Sequence, residues 1–162
     1  MKKSMIIMGL TILFFALSAC KTEVVVRPYA LEGFAHYQPQ ENSEILYRAV
    51  SPEGVSVRLS LKENSPAEAD KDFWVQAIRR YVPDKGYRLM SEGGTQKGRY
   101  FVFLVAGTRY DYFYFLHFFV QDKSLFVTEA GGQYAFLQDY QDRLIRFVNE
   151  VEVKEPVSEK QP

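Results

Sequence analysis

The clearest periodic pattern in the chain is the strict alternation of residues 55–61. Val55, Val57, Leu59 and Leu61 are apolar, and the residues between them are polar. A period of two predicts a β-strand that buries one face and leaves the other in water. Other stretches rich in β-branched and aromatic residues predict further strands. These are residues 29–35, 44–50, 87–92, 99–106, 110–120 and 125–130.

Two later segments have the 3.6-residue period of a helix. The first runs from Ser65 to about residue 82, and the second covers residues 134–150. Ser65 is a suitable N-cap, Pro66 suits the first helical position, and Glu68 completes a capping box. Each segment has an apolar stripe with charged residues opposite it. Both helices are therefore predicted to pack on the sheet.

Two of the predicted strands, residues 99–106 and 110–120, are apolar on both faces. Such strands are typical of the middle of a sheet that is covered on both sides. The second strand places four ring-bearing residues on one face. That face is either part of a filled core or a possible ligand or partner surface in a groove. Its residues are Phe113, Phe115, His117 and Phe119.

The order of elements predicts an α+β fold, with a mainly antiparallel sheet and two main helices packed on it. This order resembles the PsbP-like α/β/α sandwich of the photosystem PsbP proteins and several bacterial lipoprotein families. The resemblance rests on Gly54-Val55-Ser56-Val57-Arg58-Leu59, on the helix bearing Phe73-Trp74, on the aromatic meander and on the closing helix. It spans roughly residues 28–151 and implies an accessory or binding protein without catalytic residues.

The first 20 residues have the layout of a secretory signal. Met1-Lys2-Lys3 is basic, and an apolar run then ends at Leu17-Ser18-Ala19-Cys20. A simple membrane anchor is the alternative, but the run is shorter than the about 20 residues that span a bilayer. The four residues also resemble the lipobox of bacterial lipoproteins. That resemblance implies cleavage between Ala19 and Cys20 and lipidation of Cys20, whose acyl chains hold the protein at a membrane.

The same resemblance gives an expected location and a division of the chain. Lys21 follows the cysteine, and the absence of Asp there implies the outer membrane of the cell envelope, facing the periplasm. Residues 1–19 are then the signal peptide, 20–28 the lipidated cysteine and tether, 29–151 a single domain, and 152–162 a disordered tail. Val24-Val25-Val26 is alternatively a first strand.

Composition narrows the classes of function. The 20 Lys and Arg balance the 20 Asp and Glu, so there is no basic surface for nucleic acid. The single cysteine excludes an internal disulfide, and the 15% aromatic content indicates a packed domain. The oligomeric state is left open.

No catalytic motif is apparent in the sequence. His36 lies in a polar segment predicted to be a loop, and His117 lies on the aromatic strand, with no spacing typical of a metal site. Gly93 and Gly98 are spaced like the glycines of a phosphate-binding loop, but a predicted strand rather than a helix follows them. The segment is therefore predicted to be a hairpin turn. We therefore expect no metal, no cofactor and no enzymatic activity.

The leading hypothesis is an accessory or interaction domain with an envelope protein partner. The alternatives are a binder of a lipid or small hydrophobic ligand and, less favoured, an envelope hydrolase.

Overall fold

A seven-stranded antiparallel sheet with one helix on each face forms the centre of the molecule. The computed structural model describes residues 23–25, 31–38, 40 and 43–154. Along the chain, the strands and helices are β1 (Glu23–Val25), β2 (Ala35–Tyr37), β3 (Ile45–Val50), β4 (Ser56–Glu63), α1 (Lys71–Asp84), β5 (Arg88–Gly94), β6 (Arg99–Val105), β7 (Tyr112–Gln121), β8 (Ser124–Gln133), α2 (Leu137–Glu150) and β9 (Glu152–Lys154). The strand order in the sheet is β2-β3-β4-β8-β7-β6-β5, which confirms the predicted fold class.

Helix α2 covers one face of the sheet along most of its width. Its buried residues Leu144, Phe147 and Val148 pack on apolar side chains from several strands, including β4 and β7. The strict alternation of β4 supplies Val57 and Leu59 to this face, and both are almost completely buried. This layer is the main hydrophobic core, because it contains most of the buried apolar side chains. Burial of each such side chain contributes about 1.5–3 kcal/mol.

Helix α1 covers only part of the other face, on the side formed by β5, β6, β7 and the start of β8. Val75 packs with Phe101 and Phe118 in a second, smaller core. The guanidinium group of Arg79 pairs with the carboxylate of Glu92 on β5 and holds the helix over that edge. The other half of this face, formed by β2, β3 and β4, is not covered by α1.

The first helix begins later than the capping box predicts. Asp70, not Ser65, is the N-cap, and its carboxylate accepts a hydrogen bond of 2.8 Å from the backbone N–H of Phe73. The buried Asn64 explains the shift, because its side-chain amide donates to the carbonyl oxygens of Ala67 and Ala69. These bonds stabilise a turn over the residues that were predicted to start the helix.

Two other boundaries differ from the predictions. His36 was predicted in a loop, but it lies in the edge strand β2, opposite Ala49. Strand β8 continues through Gly132, where a Cβ would lie 2.8 Å from a methyl group of Val55, so the absence of a side chain permits the close packing.

The two ends of the described chain pair with each other. Strands β1 and β9 form a two-stranded antiparallel ribbon, with Glu23 opposite Lys154. The alternative prediction of a first strand at Val24-Val25-Val26 is therefore confirmed for Val24 and Val25, whereas Val26 lies outside the described residues. The prediction of a tail from residue 152 is wrong for residues 152–154, whereas 155–162 lie outside the described residues.

Candidate functional site

Part of the α1 face is left uncovered by the helix. We call it the open half-face and define it by the exposed or part-exposed side chains of Tyr37, Arg48, Ser56, Arg58 and Glu129. Their positions follow from the period of two in β4, which sends Ser56 and Arg58 away from the main core.

One row of directly opposed residues crosses all seven strands on this face. From one edge to the other, the row is Tyr37, Arg48, Arg58, Glu129, Leu116, Phe101 and Glu92. Leu116 and Phe101 lie in the small core beneath α1. The row therefore passes from a polar and charged, open half into a half that α1 covers.

A three-residue network occupies the centre of the open half-face. Arg58 Nε donates to Glu129 Oε2 at 2.7 Å, and the hydroxyl of Tyr114 donates to Glu129 Oε1 at 2.8 Å. Burial alone would raise the pKa of Glu129, but the hydrogen bonds from Arg58 and Tyr114 outweigh it and lower that pKa. Burial raises the pKa of Tyr114 well above its usual value, so its hydroxyl is a neutral donor. Glu129 is therefore an anion with both oxygens engaged.

Arg48 is the unusual member of this surface. It lies directly opposite Arg58 on the neighbouring strand, and like charges in that position destabilise a sheet by roughly 0.2–1 kcal/mol. The carboxylate of Glu129 neutralises Arg58 only, and Arg48 makes no ion pair or hydrogen bond with any side chain in residues 31–38, 40 and 43–154. The site thus has two guanidinium groups and one carboxylate, a local excess of one positive charge.

These side chains line a shallow pocket of about 310 Å³. Its lining includes Ile45, Arg48, Ser56, Arg58, Tyr114 and Glu129. This volume is at the lower end of the roughly 300–1,000 Å³ usual for ligand sites. The Arg58 side chain is 52% exposed, so the pocket opens widely to solvent.

A second groove runs between α2 and the β5–β6 hairpin. It has a volume of about 700 Å³ and is lined by Lys97, Asp142, Arg146 and Asn149, among others. Lys97 donates to the carbonyl oxygen of Val151, and Asn149 accepts from the backbone N–H of Gln96. These polar groups hold the hairpin on the helix, so the groove is explained by packing.

The aromatic surface predicted on β7 lies in the core. The exposed fraction does not exceed 5% for any of its four residues, Phe113, Phe115, His117 and Phe119. They lie beneath α2 and line neither pocket. The structure therefore favours the filled-core alternative over an accessible ligand surface. Cys20 and Ala19, the predicted lipidation and cleavage residues, lie outside the described residues.

His117 is buried with one hydrogen-bonded ring nitrogen. Its Nε2 lies 3.0 Å from Thr95 Oγ1, and its Nδ1 has no hydrogen-bond partner. Burial, with a smaller contribution from the charge of Lys97, lowers the pKa of His117 to about 3. The ring is therefore a neutral core residue. His36, the other histidine, is exposed and its Nδ1 lies 2.7 Å from the hydroxyl of Tyr47.

Neither a metal centre nor a membrane-spanning helix is present in the described part of the chain. Within it, no group of three or more His, Cys, Asp or Glu side chains is placed to hold a metal ion. No helix there is long and apolar enough to cross a bilayer.

The sheet order, the antiparallel pairing and the helix on each face define the PsbP-like class of α+β folds. The fold is similar to that of LpqN, described as involved in cell envelope biogenesis of Mycobacterium tuberculosis (TM-score 0.57, 6% identity, covering 86% of this chain and 87% of that one). It is also similar to cyanobacterial PsbP (CyanoP) from Synechocystis, with a TM-score of 0.51 and 7% identity over 86% of this chain and 96% of that one.

A third solved structure with this fold is the Ran-binding protein Mog1p of Saccharomyces cerevisiae. Its TM-score is 0.52, with 12% identity over 83% of this chain and 96% of that one. No family model matches the chain, and no curated protein matches it by sequence. At these identities the likeness establishes the fold.

No sequence pattern marks the charged residues of the open half-face as a site. The alternation of residues 55–61 did place Arg58 on the solvent side, which is correct. Its neighbours Arg48 and Glu129 are 10 and 71 positions away from it. Only the register of β3 and β8 against β4 brings the three together, and that register is a non-local property.

Proposed function

We propose that this protein is a non-enzymatic accessory domain of the bacterial cell envelope, held at a membrane by lipid on Cys20, and that the open half-face is its binding surface for a protein partner. The observation that carries the proposal is the half of the sheet left uncovered by α1, with charged and aromatic side chains where a covered sheet would have apolar ones. Because α1 covers only part of its face, this surface is left free for another molecule.

Two further points support a role in the cell envelope. One protein with a similar fold, LpqN, is described as involved in cell envelope biogenesis. The lipobox resemblance of Leu17-Ser18-Ala19-Cys20 is consistent with the same compartment.

The alternative of a small hydrophobic ligand has less support. Such ligands occupy concave, mostly apolar cavities. The aromatic face that was expected to line one is filled by α2, and the pocket on the opposite face is shallow and charged. An open, polar pocket suits contact with a protein surface better.

Site-specific photocrosslinking tests the binding surface. A photoreactive phenylalanine replaces Tyr37, which is 54% exposed beside Arg48, and in a matched control it replaces Tyr81, which is 62% exposed on α1. Irradiation of intact cells should produce a discrete protein adduct from position 37 and none from position 81. Equal adducts at both positions, or none at position 37, would contradict the proposed surface.

Cys20→Ala tests the anchor separately. The variant should lack acyl chains and remain an unprocessed precursor, because the sulfur that receives the lipid is absent. Mass spectrometry of the membrane fraction measures both properties. Recovery of the variant as a processed and acylated protein would show that Cys20 is not the lipidation site.

A further inference from the structure

We infer that the open half-face recognises a carboxylate group on the partner protein, either an acidic side chain or a chain terminus, and that Arg48 is its main contact. The inference rests on the proposed function, because it assigns the chemistry of the same surface. It does not rest on the lipid anchor.

The charge balance of the pocket selects the ligand chemistry. Arg48 and Arg58 face each other across neighbouring strands, and Glu129 neutralises one of them. A single carboxylate would bring the site to neutrality, whereas a phosphate dianion would leave it with an excess negative charge beside Glu129. The hydrogen bonds to Glu129 occupy both of its oxygens, so that carboxylate is not available to bind Arg48.

The guanidinium groups have donors left for such a ligand. Arg58 uses Nε for Glu129, and none of the hydrogen bonds in the described residues involves its two Nη atoms. Arg48 has all five N–H donors free of partners in the described part of the chain. Arginine is suited to this role, since its planar fork binds a carboxylate with two parallel hydrogen bonds.

The openness of the pocket indicates a protein-borne carboxylate rather than a free organic acid. A small ligand gains affinity when a site buries 70–90% of its surface. The exposed Arg58 side chain and the 310 Å³ volume do not provide that enclosure. A partner protein would instead cover the pocket and exclude water around the ion pair, which strengthens it.

The test uses the full chain in intact cells, with the crosslinker at position 37. Arg48→Gln should reduce the adduct at least tenfold, and Arg80→Gln, which removes an exposed arginine from α1, should leave it unchanged. Arg48 has no partner in the described residues and lies opposite the like charge of Arg58, so its replacement should not lower the thermal unfolding midpoint of the purified chain. Arg58→Gln should also reduce the adduct, but it removes the ion pair with Glu129 as well. Its effect is therefore less specific to partner binding than that of Arg48→Gln.

Competition in isolated membranes identifies the chemistry. Benzoate should reduce the adduct at millimolar concentrations, while benzamide, its neutral analogue, should not. Stronger competition by inorganic phosphate than by benzoate would overturn the carboxylate assignment. Saturable benzoate binding to the purified chain without any protein adduct would overturn the assignment to a partner protein.

The failures of the two proposals can be told apart. An adduct that persists in Arg48→Gln and in excess benzoate would contradict the carboxylate inference and leave the binding surface in place. Absence of the adduct at position 37 in the unsubstituted chain would contradict the binding surface itself.

Discussion

Protonation of His117 should make the domain markedly less stable in mild acid. The side chain is only 1% exposed, and its neutral ring has one hydrogen bond, to Thr95. The hydroxyl oxygen of Thr95 already accepts from the backbone N–H of Gly98 at 2.8 Å. A proton on the free ring nitrogen would therefore place a charge in the aromatic core without a partner, close to the positive charge of Lys97.

The magnitude follows from the shift in the pKa. The value falls from 6.5 to about 3 in the folded chain. Because the folded pKa of this base is depressed, the unfolded chain binds more protons below pH 6.5, and the free energy of unfolding falls as pH falls from 6.5 towards 3. Between about pH 7 and pH 5 the loss is about 2 kcal/mol. This loss depends little on the exact folded pKa, since His117 is neutral at pH 5 for any value near 3.

Urea unfolding at these two pH values, followed by the fluorescence of Trp74, measures the effect. His117→Leu should remove most of the pH dependence, because it replaces the titrating ring with an apolar side chain. His36→Gln is the matched control: it removes the exposed histidine and should keep the wild-type pH dependence. A pH dependence that is unchanged in His117→Leu would show that His117 is not the group responsible for it.

Two further substitutions test the packing. Gly98→Ala should destabilise the domain by about 3 kcal/mol or prevent folding, because its Cβ would lie 1.9 Å from the backbone oxygen of Phe118. Gly94→Ala is the control, since the nearest atom to its Cβ is 3.9 Å away, and thermal unfolding compares the two; equal losses would contradict the packing argument. Asn64→Ala should cost about 2–3 kcal/mol, because it leaves the indole N–H of Trp74 without its 2.8 Å hydrogen bond. Adding Trp74→Phe should cost less than the sum of the single changes, as followed by circular dichroism, and full additivity would contradict the coupling.

The fold was predictable because its main signals are local. The alternation of residues 55–61 identifies which side of β4 is buried, and the apolar stripes identify both helices. The start of α1 was not predictable from local signals alone. Ser65 and Asp70 are both good N-caps, and the choice depends on Asn64, whose amide stabilises the turn between them.

The candidate site was less predictable because it depends on strand register. A shift of β3 by one residue would turn Arg48 towards the main core, and no short-range pattern specifies that register. The aromatic residues of β7 were more conspicuous, but abundance of rings indicates a core as readily as a ligand site. Burial distinguishes the two, and it follows only from the position of α2 over the sheet.

The most direct test of the central claim is the yield of the crosslinked adduct at position 37, compared between the wild-type arginine at position 48 and Arg48→Gln. We expect a discrete protein adduct with Arg48, an at least tenfold loss with Arg48→Gln, and no adduct from the matched position 81. An adduct of equal yield at positions 37 and 81, insensitive to the charge at position 48, would contradict that claim.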